Sequence, residues 1–334
     1  MKKFFFSVLA VGAIVACTKS EVKYGGESEI SFSPVASTAT KAEVFGAVDG
    51  TVYPTAETFH VWGYWQGDVP AGSDNSAFTN PSTYINGQAF KYASGNVWKG
   101  RDKSYYWPKT GSMIFACLSP VGAPVEGNVV TSHSLSDNAF SFAYKNPNKT
   151  EETVDLMWVN NTASYSEQTG RNNVPVTFKH ALAWITFKVK GESVTQDGGY
   201  KINSLTLNEV KTYGSFNSAV NGEWTSQGTP KAYTVFTDGL NGSQNLTGTY
   251  VDLENHPQGT LVIPQSAEKY TATLVYTNTL GDTPIVETID LNLGTGWEIG
   301  KHYTYNITFS PVEILIQPDV TDWVEAPVVN FPFE

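Results

Sequence analysis

Thiols and imidazoles are the side chains here best suited to nucleophilic or metal chemistry, and they are few. The chain has two cysteines, Cys17 and Cys117, and five histidines, His60, His133, His180, His256 and His302. A protein metal site gathers His, Cys or carboxylate ligands at short, regular spacing. These five imidazoles are isolated, and no His-Glu-x-x-His pattern occurs. The Gly-x-Ser-x-Gly turn that presents a nucleophilic serine is missing, as is the Gly-x-x-x-x-Gly-Lys-Ser/Thr loop that cradles phosphates. A glycosidase needs only two carboxylates at the right separation, which spacing along a chain does not reveal. The residues therefore predict no enzyme, no metal and no cofactor. His180, beside a strand-like segment, reads as a packing or capping residue. Cys117, within the apolar run Met113 to Leu118, reads as a buried structural thiol.

Cys17 stands in a different setting. Lys2 and Lys3 give a basic start, and Phe4 to Val15 is apolar apart from Ser7. At about 1.5 Å per residue this stretch is too short for a bilayer core of about 30 Å. It reads as the core of an export signal. It ends Ile14-Val15-Ala16-Cys17, followed by Thr18-Lys19-Ser20. That ending resembles the bacterial lipobox, which implies a diacylglycerol on the Cys17 thiol and a further acyl chain on the amine that cleavage frees. More than one acyl chain gives durable anchoring, where one gives only marginal binding. The expected order is a signal peptide over 1–16, lipidated Cys17, and a tether over 17–29 containing Gly25-Gly26. With Cys17 acylated, Cys117 has no partner for an internal disulfide.

The elements that would follow are strands. At 334 residues the chain suits about two domains. Hydrophobic residues make up 40% and aromatics 13%, enough for packed cores, while only 16% are charged. Blocks of Glu, Lys, Ala and Leu, which long surface helices need, are absent. The net charge of −11 repels phosphate backbones and argues against a nucleic-acid partner. Period-two alternation marks strands at Ile30–Ser33, Phe59–Trp65, Val174–Phe178, Lys201–Leu207, Tyr270–Tyr276 and Tyr303–Phe309. Phe59, Val61 and Gly63 should point one way, and His60, Trp62 and Tyr64 the other. Strands separated by turn signals, with almost no helical period, predict an all-β protein of two tandem β-sandwiches, over 30–180 and 181–334. Trp107 and Trp184 are expected in cores. Trp65 and Trp98, in or beside a polar loop region, are the candidates for surface display, where a flat ring can stack on a sugar.

Taken in order, several segments resemble the fimbrillin family of lipoprotein pilins from Bacteroides-type bacteria, the group related to the minor fimbrillin of type V pili. They are Ile30-Ser31-Phe32, Thr40-Lys41-Ala42 and Phe59 to Trp65, then Tyr106-Trp107-Pro108 ahead of Met113 to Pro120. Asp155-Leu156-Met157, Val176 to Leu182, Leu261 to Gln265, Trp297 to Tyr305 and Val320 to Trp323 complete the set. The resemblance implies two tandem transthyretin-like β-sandwich domains and an outer-membrane lipoprotein at the cell surface. It further implies that a trypsin-like protease removes the N-terminal segment with its first strand. The vacated groove then accepts a strand from another fimbrial subunit, by the physics of strand addition. Here the displaced strand would be Glu29, Ile30, Ser31 and Phe32, and the processing site Lys41. The family's stalk subunits are typically cut after Arg, yet the only arginines are Arg101 and Arg171. Stalk, anchor and tip roles therefore stay open, as do host or bacterial surface ligands. The C-terminal stretch Val328-Val329-Asn330-Phe331 is either a donor strand or a segment lying along the second domain. The competing reading is a monomeric surface lipoprotein that binds a glycan through Trp65 or Trp98.

Overall fold

The computed structural model describes residues 24–36, 53–67, 82–108, 111–119, 133–136, 139–148, 152–164, 173–191, 200–219, 222–225, 227–237, 244–253, 259–266, 270–278, 283–291, 296–309 and 314–322. Cys17, Lys41 and Val328–Phe331 lie outside the described residues. Every named element is a strand. No helix among the described residues is long and apolar enough to cross a membrane. The first eleven are β1 (Tyr24–Glu29), β2 (Phe32–Ala36), β3 (Thr58–Gln66), β4 (Ser82–Ser94), β5 (Val97–Gly100), β6 (Tyr106–Pro108), β7 (Ser112–Ser119), β8 (His133–Ser136), β9 (Ala139–Lys145), β10 (Met157–Ser164) and β11 (Val174–His180). Twelve follow: β12 (Ala183–Gly191), β13 (Tyr200–Lys211), β14 (Tyr213–Asn217), β15 (Glu223–Thr225), β16 (Pro230–Thr237), β17 (Gln244–Asn245), β18 (Val251–Asp252), β19 (Thr260–Val262), β20 (Thr271–Asn278), β21 (Pro284–Asp290), β22 (Lys301–Phe309) and β23 (Ile314–Asp322).

In the first half the ladder closes on itself in the order β10-β11-β2-β5-β4-β3-β7. Closure differs in detail from an open two-sheet sandwich, and it removes edges that would otherwise invite pairing. One wall of this barrel is buried on both faces. Phe59 and Val61 of β3, Met113, Phe115 and Cys117 of β7, and Met157 and Val159 of β10 point into the barrel core. Trp62, Tyr64, Ile114, Ala116, Leu118 and Trp158, which alternate with them, face a second core outside the barrel. Two-sided burial is why Met113–Leu118 reads as an unbroken apolar run.

The second half is a pair of sheets. One has the order β18-β12-β22-β23, with β19 also on β12, and the other β16-β13-β20-β21, with β17 also on β13. Alternation sends Ala183, Ile185, Phe187 and Val189 of β12 inward, against Tyr303, Tyr305 and Ile307 of β22 and Leu205, Leu207 and Leu274 of the facing sheet. Trp184 takes the outer face and stacks on His302 at 3.8 Å. Glu209 adopts φ 57°, where the β13–β16 register shifts between Leu207 and Val210. An extra residue in one strand of an antiparallel pair produces such a bulge.

A third sheet, in the order β15-β14-β9-β8, takes two strands from each half. Its central pair aligns Phe142 with Phe216, whose rings stack at 4.7 Å. It covers the outer face of the β3-β7-β10 wall. β11 ends at His180 and β12 begins at Ala183. Side chains from both sides of that point share one core, including Trp158, Leu182, Phe216 and Leu261. A second correction concerns the expected tether: Tyr24–Glu29 is a strand that pairs antiparallel with β6. Its Gly-Gly content offers few side chains to pack, so main-chain bonds define it.

Candidate functional site

The N-terminal strand β2 completes the barrel. It runs parallel to β11 with five register pairs, from Phe32↔Val174 to Ala36↔Phe178, and touches β5 through one pair, Phe32↔Trp98. The approach to it is pinned by main-chain bonds. The Ile30 N–H donates to the Tyr105 carbonyl at 2.7 Å, and the Val174 N–H to the Ser31 carbonyl at 2.7 Å. The Ser31 hydroxyl donates to Asn173 Oδ1 at 2.8 Å, and the Asn96 amide to the Ser33 hydroxyl at 2.6 Å.

Side chains carry more of the joint than these bonds do. Ile30 and Phe32 are fully buried, and Ser31 nearly so. The Phe32 ring meets Phe59, Phe90 and Phe115 edge-on, with centroids at 5.9, 5.0 and 5.1 Å. Burying such a ring is worth about 1.5–3 kcal/mol, and each edge-to-face pair adds about 0.5–1.5. Nothing in sequence marked Tyr53 as part of this site. It stacks on Phe178 at 5.1 Å, and its hydroxyl lies 2.6 Å from Ser119 Oγ. Burial pushes its phenol up, so it stays a neutral hydrogen-bonding group.

Glu29, at the end of β1, accepts a bond from Lys99 Nζ at 2.6 Å. Burial alone would raise the Glu29 carboxyl. Hydrogen bonds from Lys99 and Ser104, with the Lys99 charge, turn the net shift downward. The four residues expected as a displaced strand are thus brought together, but split: Glu29 ends β1, Ile30 and Ser31 form a short link, and Phe32 opens β2.

The aromatic expectations divide. Trp98 is 1% exposed and belongs to the barrel core, which corrects its place among surface aromatics. Alternation along β5 turns Trp98 inward and Lys99 outward. Trp65 is half-buried and packs against the same core. Trp107 is buried as expected, and Trp184 is half-buried, packed against the core outside the barrel and stacked on His302. Among the described residues the exposed large aromatics are Tyr92, Tyr106, Tyr213 and Tyr250.

The nearest approach to a catalytic pair is His180 Nδ1 with Asp155 Oδ1, at 2.9 Å. Both side chains are 1% exposed, so solvent and substrate do not reach them. Burial raises the Cys117 thiol, which keeps it inert. Among the described residues no cluster of His, Cys, Asp and Glu could hold a metal ion.

No curated protein sequence matches the chain. Solved structures do share its fold. A fimbrial protein from Bacteroides vulgatus superposes with a TM-score of 0.61 at 15% identity, over 88% of this chain and 99% of that one. A candidate cell adhesion protein from Bacteroides uniformis gives 0.51 at 15% identity, over 89% and 100%. The family described as fimbrillin-like matches residues 47–323, most of the chain. With that match laid over an all-β architecture, the chain is a structural, non-enzymatic protein of the cell surface and belongs to the fimbrillin-like family.

Proposed function

We propose that this chain is a fimbrial subunit, held at the outer membrane through lipidated Cys17, that assembles by exchanging β2 for a strand of another subunit. The observation that carries the reading is the position of β2: it precedes the rest of the barrel in sequence, yet supplies Phe32 to the middle of its core. A cut after Lys41 would fall beyond Ala36 and release β1 and β2 together. Their departure would leave β5 and β11 with unpaired N–H and C=O groups beside an apolar trough lined by Phe59, Phe90 and Phe115. An incoming strand that presents a large apolar side chain at the Phe32 position answers both. Val328-Val329-Asn330-Phe331 of a second subunit is the segment of this chain best suited, since it is extended in pattern and carries a phenylalanine.

Two substitutions test separate parts. Cys17→Ala should move the protein out of the outer-membrane fraction; retention of the variant there would remove the lipid anchor. Lys41→Ala should leave an unprocessed chain. If wild type and variant give mature proteins of one size on a denaturing gel, Lys41 is not the processing site. Filaments labelled along their length on cells, by electron microscopy, would support a stalk role. Label confined to one end would favour a tip or anchor.

A further inference from the structure

The 21 basic and 32 acidic residues are unevenly divided. Residues 1–180 hold 14 and 15 of them, and residues 181–334 hold 7 and 17, so the halves carry net charges of −1 and −10. Within the near-neutral half four of the 14 basic residues lie in one stretch with little opposing charge. Residues 82–108 contain Lys91, Lys99, Arg101 and Lys103 against a single carboxylate, Asp102. All four cationic side chains are exposed.

The fold sets them side by side. Lys91 and Lys99 are direct cross-strand partners on β4 and β5. Like charges directly opposite each other destabilise a sheet. The Arg101 N–H donates to the Ala89 carbonyl at 2.8 Å, which places Arg101 two residues from Lys91 along β4. A Cβ on Gly100 would collide with the Lys103 carbonyl, so glycine lets the chain fold Lys103 back against the end of β5. Lys103 Nζ then lies 5.0 Å over the Tyr105 ring. Asp102 meets Arg101 at 3.2 Å, with both side chains open to solvent. Among the described residues a carboxylate from the N-terminal segment reaches the strip: Glu29, 2.6 Å from Lys99.

We propose that the strip of Lys91, Lys99, Arg101 and Lys103 is a docking surface for the acidic second half of another copy of this chain, and that Glu29 partly masks it. The charge division supplies the complement. Glu209, Glu223, Glu298 and Asp319 are exposed carboxylates of that half. A contact of opposite charges orients encounter before any strand enters a groove, and makes its rate dependent on salt. The mask, unlike the strip, rests on the strand-release reading. β5 borders the position of β2, so losing β1 and β2 would remove the Glu29 carboxylate and leave the strip one charge more positive beside the opened groove.

The test is self-association of the full chain by sedimentation velocity, at about 50 and about 500 mM salt, a range over which the screening length drops from roughly 14 to roughly 4 Å. Wild type should associate more weakly at high salt. Glu29→Gln should strengthen low-salt association about threefold, the effect of uncovering one charge. Replacing Lys91, Lys99, Arg101 and Lys103 together by Gln should weaken it about tenfold or more and flatten its salt dependence, with an unchanged circular dichroism spectrum. A chain that stays monomeric at every salt concentration, even if its strip retains dextran sulfate, overturns the assignment to a second copy. Equal association of the fourfold variant and wild type overturns the strip. Strand-exchanged filaments growing at a salt-independent rate would keep strand addition and remove the docking surface. Salt-dependent association without any strand-exchanged product would do the reverse.

Discussion

The first strand of the barrel and the last strand of the described chain are held by opposite means. β2 has five residues, five pairs with β11 and one with β5, while Phe32 at its start and Ile30 just before it are fully buried. β23 has nine residues and nine pairs with β22, but Leu315 and Val320 are 45% and 48% exposed. Only Ile314 and Ile316 of β23 pack partly against the core between the two sheets of the second half. A backbone hydrogen bond nets about 0.5–1.5 kcal/mol, because the unfolded chain bonds to water instead. β23 is thus a ladder with little core beneath it, and β2 is a core plug with a short ladder. A plug can be replaced only by a strand that brings matching side chains. A ladder strand is nearly indifferent to its side chains, which makes it an unselective joint. Pro318 in the middle of β23 lacks an N–H and discourages a further strand from adding at that edge. Side-chain selectivity belongs at β2.

The comparison breaks most readily at Phe32. Phe32→Ala should cost about 3–5 kcal/mol, since the cavity left among Phe59, Phe90 and Phe115 cannot collapse between rigid rings. Urea unfolding followed by tryptophan fluorescence would measure it. A loss under about 1 kcal/mol would mean that the core closes without β2. A smaller effect concerns the other region. His302, on β22 opposite Thr321 of β23, is pushed down to about 4, first by burial and then by the charge of Lys188. Its Nε2 lies 3.0 Å from the Thr186 hydroxyl, and its ring covers Trp184. The folded state therefore keeps the ring neutral below pH 6.5, where the unfolded chain takes up a proton. Stability is complete above about pH 6.5 and falls as pH drops towards 4, by about 1–2 kcal/mol once partial exposure is allowed for. The urea midpoint should drop more between pH 7.5 and 4.5 for wild type than for His302→Gln. Equal drops would remove His302 as the cause.

Legibility followed the range of the contacts involved. Alternation over seven residues was enough to place β3, and the apolar run to place β7, because both patterns are local. The same alternation left open that His60, Trp62 and Tyr64 face protein instead of water; Trp62 and Tyr64 are buried under a sheet built partly from 213–225. No local pattern announces a pairing between 139–145 and 213–217, which are brought together by the whole fold. Trp98 misled because β5 has four residues, too few for alternation to outweigh the polar residues before it. Tyr24–Glu29 misled for the opposite reason: a strand held by its backbone leaves no hydrophobic period to read. At the candidate site, Ile30 and Phe32 were legible from their spacing, whereas Tyr53, Asn173 and the Lys99 partner of Glu29 depend on closure of the barrel.

The smallest expected effect sharpens the comparison from its quiet side. Leu315→Ala and Val320→Thr alter side chains about half in water, on a strand with no neighbour beyond it among the described residues. Neither substitution removes a main-chain donor, and threonine keeps the branched Cβ that suits a strand. Each should change stability by no more than about 0.5 kcal/mol, whereas the same truncation in a core costs several times more. The contrast with Phe32→Ala is the informative quantity, since it compares one apolar truncation across these two strands in the same unfolding experiment. Should Leu315→Ala cost above about 1.5 kcal/mol, β23 would be buried against something in solution, and side-chain selectivity could no longer be assigned to β2 alone.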